Sequence, residues 1–263
     1  MVRAACIGLM LTAGWAVAQQ PVIYKTWGER QLKGDLYLPA AGASGPVPAV
    51  VYIHGGGWRA GNRNQFERHA QRMAELGFVG LTVEYRFQQE AKWPAAMDDV
   101  TAAVDWLKAN AKKYNIDVRR LGAAGGSAGG QLAAMLGVRA KVKAVAAFNP
   151  ALDMIALAGH VQLTNSVSDY LGVSFQERPA LWKEASPIEH VSKKSAAFLF
   201  LHGDADMTVP YAHTVRMREL LRKAGVTADL FTAEKAAHGF FNKEPWFQPT
   251  LDRMISFYQH ELH

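Results

Sequence analysis

The stretch 121-LGAAGGSAGGQL-132 decides how this chain is read. Within it, Gly125-Gly126-Ser127-Ala128-Gly129 fits G-x-S-x-G, between the run RRLGAA (119–124) and the small-residue run AGGQLAAMLG (128–137). A serine on a tight strand-to-helix turn is forced into a strained backbone conformation, so its neighbours must be small. The turn lifts the hydroxyl above the sheet and sets the positive end of a helix behind it. The rival reading is a glycine turn that carries no chemistry, and the rest of the chain has to decide between the two.

Working outward, strand and helix patterns alternate. PAVVYIH (48–54) is continuously apolar, as a strand covered on both faces must be. A helix is expected over 64–76, the strand FVGLTVEY over 78–85, a helix over 95–113, and a third helix from Ser127 leading to KAVAAFN (143–149). After 150–195 come the strand FLFLHG (198–203), a helix over 210–224, the strand TADLFTAE (227–234) and a last helix over about 246–261. Upstream, VIYKTW (22–27) and RQLKGDLYLP (30–39) alternate only in part and suit exposed antiparallel strands, followed by an Ala/Gly/Pro-rich loop at 40–48. Such alternation implies an α/β fold, a mostly parallel sheet with helices on both faces and one domain over 19–263. The irregular stretch 150–195, with Pro179 and Pro187, reads as a cap-like insertion near the active site, either a functional lid or a mere excursion.

Ligands of such sheets bind at the carboxyl ends of the strands. Besides Ser127, three polar groups fall there. HGGGW (54–58) follows the strand AVVYI, and its glycines leave backbone N–H groups bare to converge on an oxyanion; Gly55 and Gly56 are the expected donors, with the N–H of Ala128. His54 is expected to organise this loop by hydrogen bonding, and Trp58 to wall an acyl pocket. HGDADMTVP (202–210) offers Asp204 and Asp206 as partners for a catalytic histidine; the turn favours Asp206, with Asp204 as a turn-forming side chain. AAHGFF (236–241) supplies His238 after the last strand. The order Ser127, Asp206, His238 is the one described for serine hydrolases on this architecture. The remaining histidines receive no role.

Composition sets the outer limits. The chain has 263 residues, 49% of them hydrophobic and 20% charged, which suits one large α/β domain. A formal charge of +6 is spread along the sequence without basic runs, arguing for a solvated surface and no nucleic-acid partner. MVRAACIGLMLTAGWAVAQQ (1–20) has a positive start, an apolar run of about 15 residues and Ala16-Val17-Ala18, the layout of a signal peptide over 1–18 cleaved after Ala18; the alternative is an uncleaved anchor. The single cysteine, Cys6, lies within it, so no disulfide is expected in the mature chain. A bacterial periplasmic or secreted protein is implied, without stable membrane association once the leader is removed. No metal or organic cofactor is expected, since no metal-ligand spacing occurs.

HGGGW, EYR (84–86), WPAAMDDV (93–100), GGSAGG (125–130), ASPIEHVS (185–192) and HGDADMTVP together resemble the α/β-hydrolase superfamily, from about residue 22 to the C-terminus. Within it they are most similar to HGGG-type esterases of the bacterial acetyl xylan and feruloyl esterase branch. The resemblance implies Ser127 as nucleophile, His238 as base, Asp206 as its partner, and Gly55, Gly56 and Ala128 as oxyanion hole. It implies a secreted serine carboxylesterase taking a small-molecule ester or an acylated carbohydrate, with short acyl groups such as acetyl or feruloyl decorations of plant polysaccharides. Tyr170 and Trp182 in the insertion are candidate substrate-binding aromatics, although core packing explains them equally well. One departure is Gln131, where that branch often carries histidine; packing and not chemistry is expected to change there. A serine peptidase of the same fold, or a non-catalytic hydrolase-fold binding protein, are the competing readings. Oligomeric state is not legible.

Overall fold

Three strands bury every residue they contain, because helices cover both of their faces: β3 (Val47–Ile53), β4 (Val79–Val83) and β6 (Ala144–Phe148). The computed structural model describes residues 18–40, 45–160 and 163–262. The leader expected over 1–18 therefore lies outside the described residues, apart from Ala18. Among the described residues the strands form one sheet in the order β1-β2-β4-β3-β5-β6-β7-β8. The remaining strands are β1 (Ala18–Trp27), β2 (Arg30–Leu38), β5 (Ile116–Gly126), β7 (Ala197–Gly203) and β8 (Ala228–Ala233). From β4 to β8 the neighbours run parallel, while β1 and β2 are antiparallel additions at one side. The α/β architecture expected from the sequence is thus observed, with a mostly parallel sheet. The N-terminal pair is less exposed than expected, since Leu32 and Leu36 of β2 are fully buried.

Helices α1 (Glu67–Glu75), α2 (Ala95–Ala109), α3 (Ala111–Tyr114), α4 (Ala128–Val138), α8 (Tyr211–Lys223) and α9 (Phe247–Glu261) link or close the strands. Odd and even residues of β3 point to opposite sides. Ala49, Val51 and Ile53 join a core with Val100 and Val104 of α2, Leu132 and Met135 of α4, and Met217 and Leu221 of α8. Val50 and Tyr52 join a second core with Ala70 and Met73 of α1 and Met254 and Tyr258 of α9. Two expected helices are shorter than their patterns. Residues 63–66 form a 3₁₀ turn ahead of α1, capped by the Asn62 side chain, and Asn110 separates α2 from α3.

The stretch 150–195 folds into α5 (Met154–Leu157), α6 (Thr164–Leu171), α7 (Pro179–Glu184) and a 3₁₀ turn at Pro187–His190. It lies against the carboxyl ends of the strands, where Ser166 meets Gly57 and Ala185 meets Gln131. Among the described residues no helix is long and apolar enough to cross a membrane.

Two of the quoted motifs turn out to hold the scaffold together. Asp99 is fully buried and accepts hydrogen bonds from Arg86 N, Nε and Nη2 and from Trp27 Nε1, all at 2.8–2.9 Å. Glu84 and Asp35 share Arg63. WPAAMDDV therefore ties α2 to the segment after β4 and to β1 through Asp99, while Glu84 of EYR is joined to β2 through Arg63.

Candidate active site

Strand register sets the site. Ile53 pairs with Gly125, Gly126 with Phe148, and Phe148 with Leu201, so His54, Ser127 and Asn149 emerge at one edge of the sheet. Ser127 has φ +54° and ψ −117°, between β5 and α4. A non-glycine residue there is strained by roughly 1–3 kcal/mol, which the surroundings must offset. Its N–H donates to Phe148 O at 2.9 Å, fixing the turn to β6. The flanking glycines are required by close approach. A Cβ on Gly129 would lie 2.2 Å from Ile53 O, and one on Gly125 would lie 2.2 Å from Gly129 O.

The structure brings Ser127, His238 and Asp206 into one hydrogen-bonded line. Ser127 Oγ is 3.0 Å from His238 Nε2, and His238 Nδ1 is 2.7 Å from Asp206 Oδ2. A carboxylate only accepts, so Nδ1 carries the proton and Nε2 is left free to accept the serine proton. Asp206 Oδ1 accepts from Thr208 N and Val209 N at 2.8 and 2.9 Å, which locks the turn after β7. Burial alone would raise the Asp206 carboxyl. Hydrogen bonds from His202 and His238, with the Val209 N–H, outweigh it and hold the group well below the usual carboxylate range. Asp204 serves the turn, accepting from Lys235 N at 2.5 Å.

Two polar residues join this line without having been expected. His202 is fully buried, and its Nε2 lies 3.1 Å from both Asp206 Oδ2 and Val209 O. Two acceptors require Nε2 to be the donor, while Nδ1 meets Thr214 Oγ1 at 2.7 Å. Asp206 is therefore gripped from two sides. Asn149, at φ +37°, places its amide nitrogen 3.2 Å from each ring nitrogen of His238, over the imidazole. Both had a sequence signal: a histidine four residues before the carboxylate, and a polar residue directly after the apolar run AVAAF.

The glycine loop needs one correction. Gly55 N–H donates to Gln65 Oε1 at 2.7 Å, so it is already engaged and is not a free oxyanion donor. Among the described residues the N–H groups of Gly56, Gly57 and Ala128 have no such partner. Gly55 still abuts the nucleophile, because a Cβ on it would meet Gly126 O at 2.8 Å and Ser127 Cβ at 3.2 Å. His54 organises the loop as expected. Its Nδ1 donates to Gly55 O at 2.7 Å, its carbonyl accepts from Tyr85 Oη at 3.1 Å, and its ring stacks on Tyr85. Burial pushes the imidazole down, against the opposing hydrogen bond to Gly55.

The expected substrate-facing aromatics are also corrected. Trp58, Tyr170 and Trp182 are all fully buried. Trp58 and Tyr170 stack on each other at 4.6 Å and 6°, a pairing worth about 1 kcal/mol beyond burial. Trp182 packs edge-on against Phe175 and donates to Val173 O, inside the insertion. Their faces are spent on packing, so they shore up the site from behind. Among the described residues no cluster of three or more His, Cys, Asp or Glu side chains is placed to hold a metal.

The BD-FAE family model matches residues 34–221. Esterase LipQ of Mycobacterium tuberculosis is 27% identical over 245 residues, covering 87% of this chain and 58% of the relative. Esterase LipC of the same organism is 29% identical over 215 residues, covering 74% and 53%. The chain thus spans little more than half the length of these curated relatives. A solved structure of Thermogutta terrifontis esterase 2, phosphonylated by sarin, superposes with a TM-score of 0.83 at 28% identity, covering 92% of this chain and 94% of that one.

Proposed function

The chain belongs to the BD-FAE family, with an α/β-hydrolase fold, and from that premise we propose that it is a serine carboxylic ester hydrolase acting on short-chain acyl esters. The observation that carries this reading is the unbroken line Ser127 Oγ–His238 Nε2–Asp206 at 3.0 and 2.7 Å, on a strained elbow that exposes the hydroxyl. Ser127 Oγ attacks the ester carbonyl carbon while His238 Nε2 takes its proton. The carbonyl oxygen becomes an oxyanion held by the N–H groups of Ala128, Gly56 and Gly57. Gly57 replaces Gly55 here because the latter's N–H is engaged. Collapse expels the alcohol, protonated by His238, and leaves an acyl-serine. Water then attacks the acyl carbon as it gives a proton to His238; collapse breaks the bond to Ser127 Oγ, releases the acid, and His238 returns the proton to Oγ.

The preference for short acyl groups draws support from esterase 2 of Thermogutta terrifontis, which has been solved with propionate and with butyrate bound. Acetyl or feruloyl groups on plant polysaccharides are the proposed natural esters, on the resemblance of HGGGW, GGSAGG and HGDADMTVP to that branch. A secreted or periplasmic location follows from the leader-like residues 1–18.

The test is hydrolysis of p-nitrophenyl esters from acetate to decanoate by the parent and by Ser127→Ala. Activity peaking at acetate or butyrate and lost in the variant is expected, with release of acetate from acetylated xylan as the next assay. Equal inertness of both proteins at every chain length overturns the reading.

A further inference from the structure

Gln131 was expected to affect packing alone. In the structure it is fully buried one turn beyond the nucleophile on α4, its N–H bonded to Ser127 O at 3.0 Å. Its side chain joins two other segments. Oε1 accepts from Trp58 Nε1 at 3.1 Å, and Nε2 donates to Ala185 O at 2.9 Å. An indole N–H can only donate and a backbone carbonyl can only accept, so the partners fix which way round the amide sits. The far end of this brace is itself firm. Ala185 N–H bonds to Leu181 O, and the neighbouring Ser186 Oγ joins Trp182 O to Met154 N inside the insertion.

Trp58 is where the brace acts. It has φ +58° and directly follows Gly56 and Gly57, at φ +124° and +62°. Glycine adopts such angles freely, whereas tryptophan must be held there. Three contacts hold it within a fully buried position: the Gln131 bond, the stack on Tyr170, and the Gln88 N–H on its carbonyl at 2.8 Å. Among the described residues, the Gln131 bond is the hydrogen bond that ties its side chain to the helix that carries Ala128. The donors proposed for the oxyanion come from two separate pieces of chain, the loop at Gly56–Gly57 and the start of α4. Their spacing depends on what fastens one piece to the other.

We propose that Gln131 is a positioning residue for ester hydrolysis: through Trp58 it fixes the glycine loop to the nucleophile helix and so sets the separation of the oxyanion donors. This rests on the esterase reading. The amide is suited to the task because one side chain must accept at one end and donate at the other. Methionine fills nearly the same volume, cannot donate and accepts only weakly.

The experiment compares the parent, Gln131→Met, Trp58→Phe and the double variant on p-nitrophenyl acetate. Rates are expressed per active site titrated by a fluorophosphonate, which removes any misfolded fraction. Affinity for a trifluoromethyl ketone, which adds Ser127 to give a tetrahedral oxyanion, is measured alongside. A group that acts only when charge develops on oxygen changes kcat and leaves KM nearly untouched. Gln131→Met is expected to lower kcat per site about tenfold, less than loss of a whole oxyanion donor. KM should stay nearly unchanged, and ketone affinity should weaken in parallel. Trp58→Phe keeps a ring on Tyr170 but loses the donor, so the double variant should be no slower than the worse single variant. Per-site kcat and ketone affinity within twofold of the parent in Gln131→Met, with only melting temperature reduced, overturns the proposal and makes the brace structural. A parent that neither turns over an ester nor takes the label overturns the hydrolase reading and this inference with it.

Discussion

At the scale of single residues, the chemistry turns on which nitrogen of His238 bears the proton. Asp206 holds that proton at Nδ1 through a 2.7 Å bond. Asp206→Asn removes the charge and admits the wrong tautomer, so kcat should fall by about 10⁴ while the fold persists, checked by single-turnover rates and circular dichroism. Gly129→Ala tests sterics instead of charge. Its Cβ would meet Ile53 O at 2.2 Å and His54 O at 2.4 Å, two backbone atoms that cannot step aside. A loss of about 3 kcal/mol in a urea titration is expected. Ser127, Asp206 and His238 were legible because each sits in a local pattern that chemistry demands. Gly55 was misread, since only the fold reveals that the Gln65 side chain reaches back to its N–H. Trp58 was misread and Tyr170 and Trp182 were left open between pocket and core, because sequence does not tell an aromatic that faces a pocket from one that fills a core.

Among the elements, α2 and the segment after β4 are held together by a buried ion pair. Asp99 is fully buried and takes the guanidinium of Arg86, whose side chain is only 14% exposed. Breaking a buried pair leaves an uncompensated charge, so Asp99→Ala should cost about 3–5 kcal/mol in denaturant titrations. KM of the surviving folded enzyme should be unchanged, because the pair touches no residue of the triad line. Elements were largely legible for the same reason that this pair is buried. A sheet covered on both faces writes continuous apolar runs, and β3, β4, β6 and β7 were read directly from them. Ends were less legible. The break at Asn110 and the 3₁₀ turn before α1 follow from local capping, which leaves the apolar period intact.

Across the whole molecule, buried imidazoles set the response to acid. Burial lowers His54, His69 and His213, and takes His69 to about 3, inside a cage of Phe66, Phe148, Phe241 and Phe247. In the unfolded chain these groups titrate near 6.5, so below that pH the unfolded state binds protons that the folded state refuses. Stability should therefore hold above pH 6.5 and fall as pH drops towards 3, by about 1.4 kcal/mol per pH unit for His69, with His54 and His213 adding in the same direction. The depressed carboxyl of Asp206 adds a loss at still lower pH. Urea titrations at pH 7.5, 6 and 5 check this, and His69→Leu should flatten the slope by about one proton. The sheet's strand order was not legible, because it depends on which edges meet and not on any local pattern. That order also imposes a timetable during synthesis. Ser127 and its elbow leave the ribosome more than a hundred residues before β8, which among the described residues pairs with β7 alone and is followed by His238. A nascent chain can thus display a finished elbow with no base beside it, and the proposed ester cleavage must wait for the last strand to dock.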